Sequence, residues 1–143
     1  MSKYDKNDKL ADDKEEMISN TFSSFQENEY NELDFDDVER KKTVLDKKSA
    51  SGPLKKSRKK ISLLYDMVKE NFAGNFSISA INTSIIIGTL LYIISPVDII
   101  PDFIPVMGLT DDAAILTTCL LTLKKEIRRY QEWEKTDKAM NKK

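Results

Sequence analysis

Apolar positions are sparse before residue 60 and dense after it, and their spacing predicts three main helices. The first, over 59–73, is amphipathic, and its apolar face consists of Ile61, Leu64, Tyr65 and Val68. The second, over 77–94, is apolar on nearly every side. The third, over 110–132, begins apolar and becomes amphipathic, with an apolar face formed by Leu116, Leu120, Leu123, Ile127 and Tyr130. This pattern predicts an all-α fold, a small helical hairpin or three-helix domain.

The second predicted helix lies in the most unusual segment of the chain, the 27 residues between Glu70 and Asp98 that carry no charge. A membrane-spanning helix needs about 20 apolar residues, and the inner part, 78–94, is at the short end of that requirement. It could span a thin bilayer, enter one leaflet, or form the buried central helix of a bundle. A helix that is apolar all round must be covered in each case, by lipid or by protein.

The remaining segments divide the chain by composition. Residues 1–57 are rich in charged and small polar side chains, which predicts a disordered acidic arm with a basic linker. Within that arm, the acidic stretch 27–40 contains a few apolar residues and could dock a basic partner. The folded domain is predicted over 58–133, followed by a charged C-terminal tail over 134–143.

Charge is strongly segregated, although the formal net charge is only −1. Residues 1–40 carry 13 acidic and 5 basic side chains, whereas residues 41–60 carry 9 basic and 1 acidic. Basic residues flank the apolar helices on both sides, and nine of them are candidate membrane-flanking positions: Lys55, Lys56, Arg58, Lys59, Lys60, Lys124, Lys125, Arg128 and Arg129.

Catalytic chemistry has little support in the sequence. The chain has no histidine, which removes the usual general base and most zinc sites. Its single cysteine, Cys119, lies in an apolar run and is expected to act as a small hydrophobic residue. No glycine-rich phosphate loop or nucleophile elbow is present. We therefore expect no catalytic residue and no cofactor.

A proline- and aspartate-rich turn separates the last two predicted helices. Ser95 and Pro96 suit the start of a short helical turn, Gly108 permits a positive φ, and a following aspartate suits the next helix N-terminus. The residues that carry the pattern are Ser95, Pro96, Asp98, Pro101, Asp102, Pro105, Gly108, Asp111 and Asp112. This pattern resembles the YkvA-like small bacterial proteins, a domain family of unknown function. The resemblance implies a small helical domain that is often membrane-associated, and it implies no established reaction.

Four aspartates in this turn allow three interpretations: Asp98, Asp102, Asp111 and Asp112. Carboxylates at helix N-termini can serve purely as caps. An oxygen-rich cluster can instead bind a hard cation such as Mg²⁺ or Ca²⁺. A third possibility is a docking spot for a cationic partner, and the sequence leaves all three open.

The function favoured by these observations is a non-enzymatic, membrane-associated helical module that self-associates or binds another membrane protein. If the two apolar helices form a hairpin in the bilayer, both basic flanks lie on one side, so both termini are predicted to be cytoplasmic. We expect lipid as a partner and no nucleic acid, because no nucleic-acid motif accompanies the basic run. The alternative is a soluble or peripheral protein whose aspartate cluster binds a divalent cation, with hydrolytic activity as an extension.

Overall fold

The chain forms helices throughout the part that the structure describes. The structure is a computed structural model that describes residues 6–95 and 112–141, with the side chains of 15–95, 112–138 and 140. No strand occurs in these ranges, which confirms the all-α fold class. The elements are α1 (Lys6–Glu27), α2 (Glu32–Arg40), α3 (Lys42–Ala50), a 3-10 helix (Gly52–Ser57), α4 (Arg58–Phe72), α5 (Ala80–Ile94), α6 (Asp112–Thr122) and α7 (Lys124–Asn141).

Helix α5 is the centre of the structure. Eleven of its 15 residues are buried, and it contacts α1, α2, α3, α4 and α6. A helix that is apolar on all sides is stable only when it is surrounded. Here the surrounding surface is supplied by helices of the same chain, so the uncharged segment forms the buried central helix, one of the three alternatives predicted for it.

Polar side chains within α5 are satisfied by backbone carbonyls. The hydroxyl of Thr83 donates to Ser79 O at 2.9 Å, and that of Thr89 donates to Ile85 O at 2.8 Å. The Ser84 hydroxyl donates to the carbonyl of Phe25 in α1. Buried hydroxyls with such partners carry little penalty, which explains how this apolar helix accommodates them.

The extent of the folded part differs from the prediction of a disordered arm over 1–57. Helices α1 to α3 and the 3-10 helix contribute seven buried apolar side chains to the common core: Met17, Phe22, Phe25, Phe35, Val38, Leu45 and Leu54. Seven buried apolar side chains are few for a segment of this length, which is why its composition predicts a disordered arm. These side chains nevertheless join the same core as α5, and α1, α2 and α3 all contact the central helix.

The predicted helices after residue 58 exist with slightly different ends. Helix α4 ends before Gly74, whose φ of +84° is the left-handed conformation typical of a glycine that follows a helix C-terminus. Helix α5 begins after Ser79, whose side chain accepts a hydrogen bond from Asn82 N–H. The predicted helix over 110–132 is divided at Leu123 into α6 and α7. Helix α7 then continues to Asn141, through most of the segment predicted as a tail.

Aromatic contacts hold α7 against the bundle. The rings of Tyr130 and Trp133 lie 5.1 and 5.4 Å from that of Phe76, between centroids. The carboxyl of Asp66 on α4 lies close enough to α7 to interact with Glu134. Burial, followed by the negative charge of Glu134, raises the pKa of Asp66 above its ordinary 3.8.

We expect Asp66→Asn to stabilise the protein at pH 7. The folded state holds the Asp66 proton more tightly than the unfolded state, so stability falls as pH rises from about 4 through the folded pKa. The substitution removes this pH-dependent loss of stability. Urea unfolding of both proteins at pH 7 and pH 3 measures the free energy of unfolding. Asp66→Asn should be more stable than the wild-type protein at pH 7 and equally stable at pH 3, where Asp66 is protonated in both the folded and the unfolded state. Asp36→Asn, which removes one exposed charge, is the control. A gain that is equal at the two pH values contradicts the argument.

Helix α1 packs tightly against α5 at Gly88. A Cβ atom at this position would lie 2.6 Å from the Cγ and Cδ1 atoms of Phe25, which is well inside van der Waals contact. We expect Gly88→Ala to lower the free energy of unfolding by about 1–3 kcal/mol, measured by urea denaturation. In a Phe25→Leu background the same substitution should cost less, because the obstructing ring is gone. An unchanged stability of Gly88→Ala would mean that α1 does not pack on α5 as described.

Candidate functional site

Two helix ends frame the predicted proline and aspartate turn. Ser95 ends α5, and its N–H donates to Leu91 O at 2.9 Å, while Asp112 begins α6 with a half-buried side chain. A carboxylate in the first turn of a helix is favourable, as predicted for this position. The other residues of the turn lie outside the described residues: Pro96, Asp98, Pro101, Asp102, Pro105, Gly108 and Asp111.

Lys48 of α3 reaches the end of the central helix. Its Nζ donates to Ile94 O at 3.0 Å, and its side chain is half-buried. The last carbonyls of a helix lack intrahelical donors and carry partial negative charge. Lys48 therefore caps α5 one residue before the turn begins, and it ties α3 to the end of the bundle at which the turn lies.

A groove of about 490 Å³ lies at this end, between the end of α3, the 3-10 helix and the start of α6. Its lining combines amine, hydroxyl, carboxylate and apolar groups: Lys47, Lys48, Ser51, Pro53, Leu54, Asp112 and Ala113. The burial of Leu54 fixes the 3-10 helix to the core. Lys47 and Lys48 are not among the predicted site residues, although both belong to the basic block 41–60.

Five basic side chains form an exposed surface beside this groove, which we call the basic face: Lys55, Lys56, Arg58, Lys59 and Lys60. They belong to the 3-10 helix and the first turn of α4. None of the five forms an ion pair with another described residue. Within the described residues, the basic face therefore presents positive charge that no salt bridge pairs, and such charge attracts anions and anionic surfaces.

The second predicted basic group lies at the opposite end of α5. Glu126 of α7 accepts a 3.5 Å hydrogen bond from Asn82 in the first turn of α5. Arg129 pairs with Glu126 at 2.7 Å, donates to Ser77 O, and stacks over the Phe76 ring at 4.3 Å. Lys124, Lys125 and Arg128 are exposed nearby.

The arrangement corrects the predicted hairpin geometry, in which both basic flanks lie on one side. Helix α4 turns back and packs beside α5, so its basic N-terminus lies near the C-terminus of α5. With 15 residues, α5 separates the two groups by about 22 Å. Within 6–95 and 112–141, no helix has both the length and the apolar character required to cross a bilayer.

The predicted metal site has only Asp112 among the described residues, because the other three aspartates belong to the turn outside them. The described residues contain no group of three or more potential metal ligands, and the metal interpretation stays a prediction. Cys119 is fully buried, and burial raises the pKa of its thiol to about 11. This confirms that it packs as a small hydrophobic residue.

The region around the turn is similar in sequence to known proteins. Residues 84–118, which run from α5 through the turn into α6, match the family described as "Protein of unknown function (DUF1232)". The chain is 36% identical over 84 residues to "Uncharacterized membrane protein YkvA" of Bacillus subtilis (strain 168), an alignment that covers 55% of this chain and 79% of that protein. No solved structure matches the chain.

We expect Lys48→Met to lower the free energy of unfolding by about 1 kcal/mol, because Ile94 O loses its donor at the negative end of α5. Urea denaturation measures the change. Lys47→Met is the matched control, since Lys47 is adjacent, exposed and makes no such bond. Equal effects of the two substitutions would show that charge, and not the cap, determines the result.

Proposed function

Because the chain belongs to the family of the uncharacterized membrane protein YkvA, we propose that it is a non-enzymatic helical module that associates with membranes through the basic face. The observation that carries the proposal is a set of five exposed basic side chains with no ion pair to another described residue. This deepens the predicted role of lipid as a partner and assigns it to one end of the bundle.

Electrostatic attraction supplies the binding energy in this proposal. Each Lys or Arg near an anionic bilayer contributes about 1 kcal/mol, and the attraction decays within a Debye length of about 8 Å at physiological salt. Five such residues on one surface can therefore offset the entropy lost when the protein is immobilised. Because the cytoplasmic leaflet carries the anionic lipid, binding there keeps both termini on the cytoplasmic side.

Rigid backbone supports the basic face. Pro53 lies at the start of the 3-10 helix, Leu54 is buried beneath it, and Arg58 begins α4 directly afterwards. Charges held on such elements meet a surface together, with less backbone entropy to lose than charges on a flexible tail. The geometry thus favours a defined contact orientation of the bundle.

Self-association or binding of a membrane-protein partner is part of the same proposal. Four large apolar side chains besides Val44 are strongly exposed: Leu33, Ile81, Leu121 and Met140. Each lies on a different helix, and of the four only Ile81 lines a groove, so Ile81 is the candidate contact for a partner. The absence of histidine and the burial of the single thiol support a binding role over a catalytic one.

We expect the full-length protein to co-sediment with vesicles of phosphatidylserine and phosphatidylcholine, and to be released as salt rises. A triple variant, Lys55→Gln with Lys56→Gln and Lys59→Gln, should weaken binding roughly 100-fold, since each lost charge removes about 1 kcal/mol. Vesicles of phosphatidylcholine alone should bind neither protein.

The matched control removes three charges from the other end of the bundle: Lys124→Gln, Lys125→Gln and Arg128→Gln. It changes the net charge equally and should keep most of the affinity. Equal losses in the two triple variants would show that net charge alone attracts the protein, and a failure of the wild-type protein to bind would overturn the proposal.

A further inference from the structure

A larger groove lies at the end of the bundle opposite the basic face. It has a volume of about 650 Å³, within the range of sites that hold small ligands or peptide side chains. It is bounded by the end of α1, the turn into α2, the end of α4 and the first turn of α5. Its central lining residues are Glu29, Tyr30, Asn71, Phe72, Ile78 and Ile81.

Apolar side chains form much of the groove lining. Ile78 is buried and Phe72 is half-buried, whereas Ile81 is 60% exposed. Ile81 is the large apolar residue in the first turn of α5 that the described part of the chain leaves exposed. Burying such a side chain in a complex contributes about 1.5–3 kcal/mol. The groove therefore offers apolar surface to a partner.

Hydrogen bonds hold the polar part of the lining in place. The backbone N–H of Tyr30 donates to Ser84 Oγ at 2.8 Å, and the Tyr30 phenol oxygen accepts from Asn28 Nδ2 at 3.0 Å. Asn71 Oδ1 accepts from Ile78 N–H at 2.9 Å. These bonds link α1, α4 and α5 around the groove, so its shape is determined by the fold before any ligand arrives.

Among the described residues, Glu29 is the charged side chain that lines the groove, and we call its carboxylate the acidic rim. Glu27 and Glu32 are near it in sequence, and all three are exposed. None of them forms an ion pair with another described residue. Glu29 has a φ of +49°, a left-handed conformation that disfavours a side chain of this kind by about 1–2 kcal/mol. The C-terminal end of α1 adds partial negative charge at the same place.

We propose that this groove binds a basic, apolar peptide segment of a partner protein. An apolar side chain of the segment packs against Ile81 and Phe72, and a neighbouring Lys or Arg pairs with the acidic rim. Charge complementarity determines this choice of partner. A groove with the same apolar lining but no acidic side chain would accept any apolar segment. The inference gives the partner-binding part of the proposed function a site and a chemistry.

The groove and the basic face can act at the same time. They lie at opposite ends of α5, about 22 Å apart for its 15 residues. A protein bound to a membrane through the basic face would therefore hold this groove away from the lipid. The two proposals use separate residues, so each can fail without the other.

The test uses the full-length protein and a fluorescent synthetic peptide of alternating leucine and lysine pairs, with binding measured by anisotropy in the absence of lipid. We expect Ile81→Lys to weaken binding at least 10-fold, because it removes apolar surface and adds a repelling charge. Leu121→Lys is the matched control, since Leu121 is 69% exposed on α6 and does not line the groove; it should bind like the wild-type protein.

A second variant and a second probe keep the outcome interpretable. Ala80→Trp fills the groove from an exposed position and should also weaken binding, with thermal unfolding used to check that both variants fold. A peptide with glutamate in place of lysine should bind at least 10-fold more weakly. Equal binding of the two peptides, or equal losses for Ile81→Lys and Leu121→Lys, would overturn the proposal. Ile81→Lys should still sediment with anionic vesicles, which separates this result from a failure of membrane binding.

Discussion

The whole arrangement depends on covering α5, a helix with apolar residues on every side. Exposing it to water would leave a continuous apolar surface around 15 residues. Five other helices pack around it, and the Phe25 ring lies against Gly88, where no side chain separates the two helices. The small number of apolar residues in α1 to α3 is sufficient because their buried side chains join the same core as the central helix. Removing any one of these contacts affects the element that positions both ends of the bundle.

This constraint also determines where the functional surfaces lie. Since α4 and α6 both run alongside α5, the two ends of the bundle are formed by different helix termini. The end with Ile94 and Asp112 collects Lys48 and the basic face, whereas the other end collects the groove around Ile81 and the basic residues of α7. The central helix thus acts as a spacer between a cationic surface and an acidic-rimmed groove.

Local pattern was sufficient to predict α4, α5 and the two halves of the last predicted helix. The apolar periodicity around Leu64 and Leu116 is strong there, and Gly74 marks an end by its conformational freedom. It was insufficient for α1 to α3, because their few apolar residues are set among polar and charged ones and are buried by contacts distant in sequence. Phe35 packs against Tyr65 and Phe72, and the Phe25 carbonyl accepts a hydrogen bond from Ser84. The same limit applies to Lys48 and to the separation of the basic groups. Neither can be obtained from spacing, because both require knowing that α4 turns back along α5.

Membrane association and a buried central helix are compatible when the apolar surface and the charged surface are considered separately. In the described conformation the apolar surface of α5 is already in contact with protein, so lipid could reach it only after α1 and its neighbours moved away. Such a movement would exchange one apolar environment for another and would gain little hydrophobic free energy. It would also break the bonds between Ser84 and the α1–α2 region. The basic side chains are already at the surface of the folded bundle. Their electrostatic attraction to anionic lipid therefore requires no such rearrangement. For this reason the basic face, and not the apolar helix, is the part of the molecule to which we assign the first contact with a membrane.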